Sequence, residues 1–333
     1  MCQPHADSWR IIAVKRRDFL TRSALALLGA TTRGGAAHST GAGQAADRVS
    51  GEPIIDIHQH LGYSGRPDEV LLAHQRAIGA TTTILLPAGR PAGGASTHGG
   101  VANGLQAEAL GNEACYQFVQ AHRQPFLFGA NDVPDLAGAT QEIERYLKRG
   151  AVVVAEQKFG VECDSPAMQR IYALARAYDV PVLMHWQFKM YNYGFERFHR
   201  MLEKFRRVKF LGHAQTWWAN IDRNHTDQTV LYPKGRVTRG GLTDRYLSDY
   251  PNMYGDLSAG SGLNALTRDE DFTRDFLTRH RDKLLFGSDC NDRDGGGPDC
   301  LGARIIATIR RLSANRQIER KLLYENAKKL FRL

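Results

Sequence analysis

From residue 53 onward, short apolar runs rich in β-branched residues alternate with amphipathic stretches of helical period. This alternation restricts the chain to a parallel α/β fold. The apolar runs are 54–58, 81–86, 126–130, 152–156, 180–185, 208–213, 253–256 and 284–288. Helix-like segments cover 68–78, 105–122, 136–148, 166–178, 195–205 and 272–280; 301–312 closes the series and 318–331 ends the chain. Within 167–177, Met168, Ile171, Tyr172, Leu174 and Ala175 gather on one helical face, with Arg170 and Arg176 off it. Periodicity alone fits a doubly wound sheet as well as a barrel. The polar residues decide between them, because His58, His60, Glu156, His185, His213, Asp256 and Asp289 all fall at the C-terminal ends of apolar runs. A barrel gathers those ends around one axis, whereas an open sheet spreads them along an edge. The expected fold is a (β/α)8 TIM barrel.

Composition agrees. The 333 residues are 42% hydrophobic and 24% charged, enough for a large core. No window has the roughly 20 apolar residues that span a membrane. Nearly half of the net charge of +9 lies at one end: residues 1–46 hold six Lys/Arg against two acids, and the remainder carries 38 basic and 33 acidic residues. The remaining basic residues form no stripe with interleaved aromatics, which argues against nucleic-acid binding.

Residues 1–46 read as an address followed by a linker. Lys15-Arg16-Arg17-Asp18-Phe19-Leu20 precedes a weakly apolar run at 23–30 and a Gly/Ala/Ser/Thr stretch at 29–46. The pattern resembles a twin-arginine (Tat) export signal, with cleavage expected near 43–46 and the mature protein periplasmic or secreted. The catalytic domain then spans 47–333. The mature chain keeps Cys115, Cys163, Cys290 and Cys300 without a CxxC pair; Cys290 and Cys300 are close enough in sequence to bridge or to stay as buried thiols. Two long excursions, 89–104 and 216–241, leave the alternation and emerge on the face where a barrel carries its chemistry.

His58 and His60 stand two apart at a strand end and so project to one side, an arrangement that suits a divalent metal. His185, His213 and Asp289 repeat the pattern, each directly after a hydrophobic run. At these motifs the chain resembles the amidohydrolase superfamily. It is more similar to the amidohydrolase-related (amidohydrolase 2) branch, which includes aminocarboxymuconate semialdehyde decarboxylase-like enzymes. The resembling segments are Ile55-Asp56-Ile57-His58-Gln59-His60, Pro181-Val182-Leu183-Met184-His185, Phe210-Leu211-Gly212-His213, Leu285-Phe286-Gly287-Ser288-Asp289 and the ending Asn326-Ala327-Lys328-Lys329-Leu330-Phe331.

The resemblance implies a TIM barrel of the metal-dependent hydrolase type. It further implies that His58, His60, His185 and Asp289 surround a metal, most simply zinc, and that Asp289 and His213 act as catalytic groups. His213 would stand by the water or ligate a second ion. In the fourth run, Glu156 and Lys158 can share a face, so Glu156 is a candidate bridging ligand or a partner of Lys158; one metal is favoured, with a second through Glu156.

Beyond the ligand positions lie Trp186, Gln187, Lys189 and Tyr191, then Gln215, Trp217 and Trp218; Lys189 and Arg293 are candidates to hold a substrate carboxylate. Packing of the loops is the other use for these aromatics. Asp256 and Ser258 could hydrogen-bond the substrate. The expected partner is a small ring-bearing or carboxylate-bearing molecule, with no nucleic acid, no membrane in the mature form, and room for a homo-oligomer. The expected reaction is hydrolysis of a lactone, amide or related bond by a metal-activated water. Non-oxidative decarboxylation of an aromatic or enoic acid is the alternative, and a non-catalytic binding barrel a third.

Overall fold

Eight parallel strands and their intervening helices follow one another in the computed structural model, which describes residues 52–88, 109–122 and 125–333. The twin-arginine segment, the excursion at 89–104 and the start of the helix expected at 105–122 lie outside the described residues. Strands β1 (Ile55–Gln59), β2 (Thr82–Leu85) and β3 (Phe126–Phe128) pair in parallel. So do β4 (Val154–Gln157), β5 (Val182–His185), β6 (Phe210–His213), β7 (Met253–Asp256) and β8 (Leu284–Leu285). Backbone hydrogen bonds close both seams. Val152 N–H donates to Phe128 O and Ala155 N–H to Ala130 O, and across the other seam Ile57 N–H donates to Phe286 O. The result is a (β/α)8 barrel, as the position of the polar strand ends required.

Strand alternation divides the core in two. Ile55, Ile57, Ile84, Leu86, Val153, Ala155, Leu183, Leu211 and Leu285 form the cluster inside the barrel. Val154, Val182, Met184, Phe210, Met253 and Leu284 face the other way and pack with the helices. Two strands break step where they enter the mouth. The β1–β2 register slips between Asp56 and Gln59, and the β4–β5 register between Val154 and Gln157. Such irregularities re-aim side chains. Here they occur at His58 and Glu156, on strands whose preceding inward positions are apolar.

The helices follow local signals. Helix α1 (Asp68–Ala77) opens with two acids, and α2 (Asn112–Ala121) and α3 (Ala139–Leu147) follow β2 and β3. Helix α4 (Pro166–Tyr178) begins with Ser165, whose Oγ accepts the Met168 N–H, and with Pro166 in its first turn. The segment expected as one helix at 195–205 is a 3-10 turn followed by α5 (His199–Lys204). The excursion after β6 opens with a short helix, α6 (Gln215–Ala219), and two further helices fill stretches left unassigned. These are α7 (Leu242–Asp249) and α8 (Ala259–Thr267). The Gly/Ser-rich sequence of α8 hides it; Gly262 is needed because any Cβ there would lie 2.2 Å from Leu257 O.

After α9 (Glu270–Arg279) and α10 (Leu301–Leu312), the terminal helix expected at 318–331 divides. It becomes α11 (Arg316–Arg320), a π-helical turn at Lys321–Glu325, and α12 (Asn326–Phe331). The wide turn has a use: Leu322 O accepts the Phe286 N–H at 2.9 Å, so the helix lends a carbonyl to the end of β8.

Gly212 sits immediately before His213 with the Trp217 indole laid over it; an added Cβ would lie 2.3 Å from that ring. Gly212→Ala is expected to destabilise the fold by about 1–3 kcal/mol through overpacking. Urea unfolding measures this, and an unchanged midpoint would show that the indole is free to retreat.

Candidate metal centre

The strand ends bring five side chains together. His58 comes from β1 and His60 from the residue after it, Glu156 from β4, His213 from β6 and Asp289 from just beyond β8. His58 Nε2 lies 3.3 Å from His60 Nε2, 3.7 Å from Glu156 Oε2 and 3.8 Å from Asp289 Oδ1. His60 Nε2 is 3.6 Å from Glu156 Oε2 and 3.5 Å from Asp289 Oδ1. His213 Nε2 lies 3.7 Å from Glu156 Oε1 and 3.6 Å from Asp289 Oδ2. Four of the five side chains are essentially buried, while Asp289 keeps 12% of its side chain exposed and so marks the open side of the centre.

The outer contacts set the protonation of each imidazole. His60 Nδ1 is 2.7 Å from the Leu86 carbonyl, which can only accept, so Nδ1 donates to it and Nε2 is turned inward. His58 Nδ1 faces the Asp256 carboxylate at 2.7 Å. Ser258 donates its hydroxyl to Asp256 Oδ2 at 2.9 Å, which leaves its oxygen to accept from His213 Nδ1, also at 2.9 Å. With Nδ1 engaged in this way, all three rings turn Nε2 toward the two carboxylates. Imidazoles held through the remote nitrogen in this way are the usual supporting arrangement of a metal site.

The charges point the same way. Burial opposes a charge on His58, but Asp289 and Asp256 outweigh it and raise its pKa well above the usual value. Burial would also keep the carboxyls neutral, yet His185 and His58 hold Glu156 well below its ordinary range. Asp289 is lowered likewise, burial being overcome by His58 and His60. His213, buried and next to His58, falls to about 4. Tyr63 borders the centre, and the Asp289 charge together with burial keeps its phenol protonated far above pH 7. A protein-only centre thus needs a proton on His58 to separate its lone pairs. Asp289 Oδ1 still finds no hydrogen-bond partner. Both features fit a cation among the five groups.

Two overlapping trios have ligand atoms within 4.8 Å of one another: His58 with Glu156 and His213, and His58 with His60 and Asp289. His185, expected among the ligands, belongs to neither trio. Its Nδ1 lies 2.5 Å from Glu156 Oε1 and its Nε2 3.3 Å from Gln187 Oε1, so it supports Glu156 from behind. Burial, then the nearby Lys158 charge, lowers its pKa. Glu156 takes His185 rather than Lys158 as its partner; Lys158 Nζ stands 5.5 Å from the centre of the Tyr191 ring. Asp256, a candidate to hydrogen-bond the substrate, faces His58, and Ser258 faces His213. The sequence showed both as strand-end polar residues but not their partners, which lie 198 and 45 positions away.

Trp186, Lys189 and Tyr191 line a cavity of about 620 Å3 that also includes Gln187, Phe195 and Glu196. The Trp186 Nε1 and the Tyr191 hydroxyl are buried without a hydrogen-bond partner, and the Tyr191 ring stands edge-on to His185 at 5.4 Å. Trp217 is fully buried against Phe195 and Trp218 and is not among the residues lining this cavity; Arg293 is exposed.

No protein-family model matches the chain, and no curated protein matches it. Solved structures do. An uncharacterised TIM-barrel protein from Bordetella bronchiseptica superposes with a TM-score of 0.58 at 15% identity, over 84% of this chain and 98% of that one. A probable 2-pyrone-4,6-dicarboxylic acid hydrolase from Acinetobacter baumannii, with citric acid bound, gives 0.54 at 13% identity over 84% and 99%. A 2,6-dihydroxybenzoate decarboxylase from Rhizobium gives 0.53 at 14% over 84% and 99%. At these identities the likeness establishes the TIM-barrel fold.

Asp256→Asn removes the carboxylate that orients His58 and is expected to weaken metal affinity about 10–100-fold. Competition with a chromogenic chelator reads this directly. Unaltered affinity would mean that His58 needs no such support.

Proposed function

We propose that the chain is a metal-dependent hydrolase of the amidohydrolase type, acting on a small ring-bearing or carboxylate-bearing substrate. The convergence of three imidazole lone pairs and two ionised carboxylates within 3.3–3.8 Å carries this reading. Atoms so spaced and so charged suit a single divalent ion, and the nitrogen and oxygen donors suit zinc. His58, His60, Glu156 and Asp289 would hold it, with His213 at its side. A divalent ion supplies there a water acidified toward neutral pH and polarises the bond under attack.

The chain's own residues do the rest. Asp289, ionised and alone in reaching the mouth, accepts the water's proton and passes it to the leaving group. His213, neutral at pH 7, offers a lone pair to the same region. His185 keeps Glu156 in place. The substrate ring fits the aromatic cavity beside His185, where Trp186 and Tyr191 supply unsatisfied donors and Lys189 a cation for a carboxylate.

Decarboxylation is the second reading, since the barrel is similar to a decarboxylase as well as to a hydrolase. It calls for a cation holding the substrate carboxylate over the centre. Arg66, buried close by, already gives its guanidinium to Cys290 O, Asp292 O and Gln59 Oε1, and Arg293 is exposed. Among the described residues this leaves Lys189 as the cation that either reading would use.

Chelator treatment is expected to abolish turnover of a panel of lactones, amides and aromatic acids, and zinc to restore it, with hydrolysis exceeding CO2 release. Asp289→Asn should lower kcat by about 10²–10⁴ with the unfolding curve preserved. Full turnover by metal-free protein would sink the proposal. Export through the twin-arginine route belongs to the same proposal. It requires that lysines at Arg16 and Arg17 block secretion, and continued export of that variant would remove it.

A further inference from the structure

Away from the barrel mouth, a second set of donors meets in the core. The loop after β8 runs from Cys290 to Cys300, the cap residue of α10, and is pressed onto α1. Gly295, at φ +74°, makes that contact, and a Cβ there would lie 2.7 Å from the His74 Cα and carbonyl oxygen. Asp292 Oδ2 accepts the Gly295 N–H at 2.8 Å and holds the turn in shape. The packing brings His74, Cys290 and Cys300 together with every ligand atom within 4.8 Å of the others. All three residues are at most 1% exposed.

We propose that His74, Cys290 and Cys300 form a second metal site, for a thiophilic ion of the zinc class, independent of the reaction at the barrel mouth. The distances support it. Zinc bonds of about 2.3 Å to sulfur and 2.0–2.1 Å to nitrogen in a tetrahedron place two sulfurs about 3.8 Å apart and sulfur about 3.6 Å from nitrogen. Here the two Sγ atoms are 3.8 Å apart, and Cys300 Sγ is 3.4 Å from His74 Nε2. The cysteines are free thiols, and at this separation they are not bonded to each other. Cys300 Sγ also accepts the Ala303 N–H at 3.4 Å, and the N-terminal end of the twelve-residue α10 supplies the positive potential a thiolate ligand needs. Donors of this softness distinguish the site from the nitrogen and oxygen centre at the mouth.

Such an ion would tie α1 to the loop that begins at Asp289. The backbone of that loop is already held to β1, because Gln59 Nε2 donates to Cys290 O at 3.0 Å. Its role is therefore structural: it fixes the segment that delivers Asp289 to the barrel mouth.

Cobalt tests this, because Co2+ bound by thiolate shows a ligand-to-metal charge-transfer band in the near ultraviolet that nitrogen and oxygen donors do not give. The full chain, reduced and freed of metal, is titrated with Co2+. The expected result is a thiolate band saturating at one equivalent of its own, lost in Cys300→Ser and in Cys290→Ser and kept in His60→Ala. Binding of cobalt by the wild-type chain with no thiolate band would overturn the site. So would a band that survives both cysteine substitutions, since the sulfur would then come from Cys2, Cys115 or Cys163.

Discussion

The structure depends on a conflict of charge at the barrel mouth. Five side chains with lone pairs turned inward occupy a pocket from which water is almost wholly excluded, and only Asp289 retains exposed surface. Without a positive charge among them, the His58 and His60 nitrogens at 3.3 Å would repel each other and both nearby carboxylates. A proton on His58 is one remedy, and a divalent ion is the more complete one. The register slips of β1 and β4 and the outer hydrogen bonds from Asp256, Ser258 and Leu86 all serve to hold these groups in a conflict that a cation resolves.

The outer contacts deserve as much weight as the five groups themselves. An imidazole that is free to rotate offers either nitrogen to a metal and loses rotational freedom on binding. Here each ring is already fixed through Nδ1, so Nε2 is presented with its lone pair in place. His185 works by a different route, supporting a carboxylate rather than facing the centre. On that flank Tyr191, edge-on to His185, lines the aromatic cavity.

Much of this was legible in the sequence, because strand ends leave a strong local signal. A hydrophobic run that stops at His58, His185, His213 or Asp289 marks both a strand and the residue at its mouth, and eight such runs specify the barrel. Pairing across the barrel leaves no such signal. Nothing near Asp256 in the chain shows that it meets His58 198 positions earlier, and nothing near His185 shows which nitrogen meets Glu156. Helix α8 was left unassigned for a local reason: its two glycines and Ser261 have low helix propensity, which packing of Gly262 against Leu257 outweighs. The terminal helix was recognised, but its π turn answers to the distant Phe286 N–H and leaves no trace in the pattern of residues 318–331.

The most direct measurement is an anomalous difference map, collected at the zinc absorption edge from crystals grown with zinc. The account predicts a peak bounded by His58 Nε2, His60 Nε2, Glu156 and Asp289, about 2.0–2.2 Å from its ligands, with His185 still against Glu156. Crystals of active protein with no peak there, and with His58 and His60 still in direct contact, would contradict it.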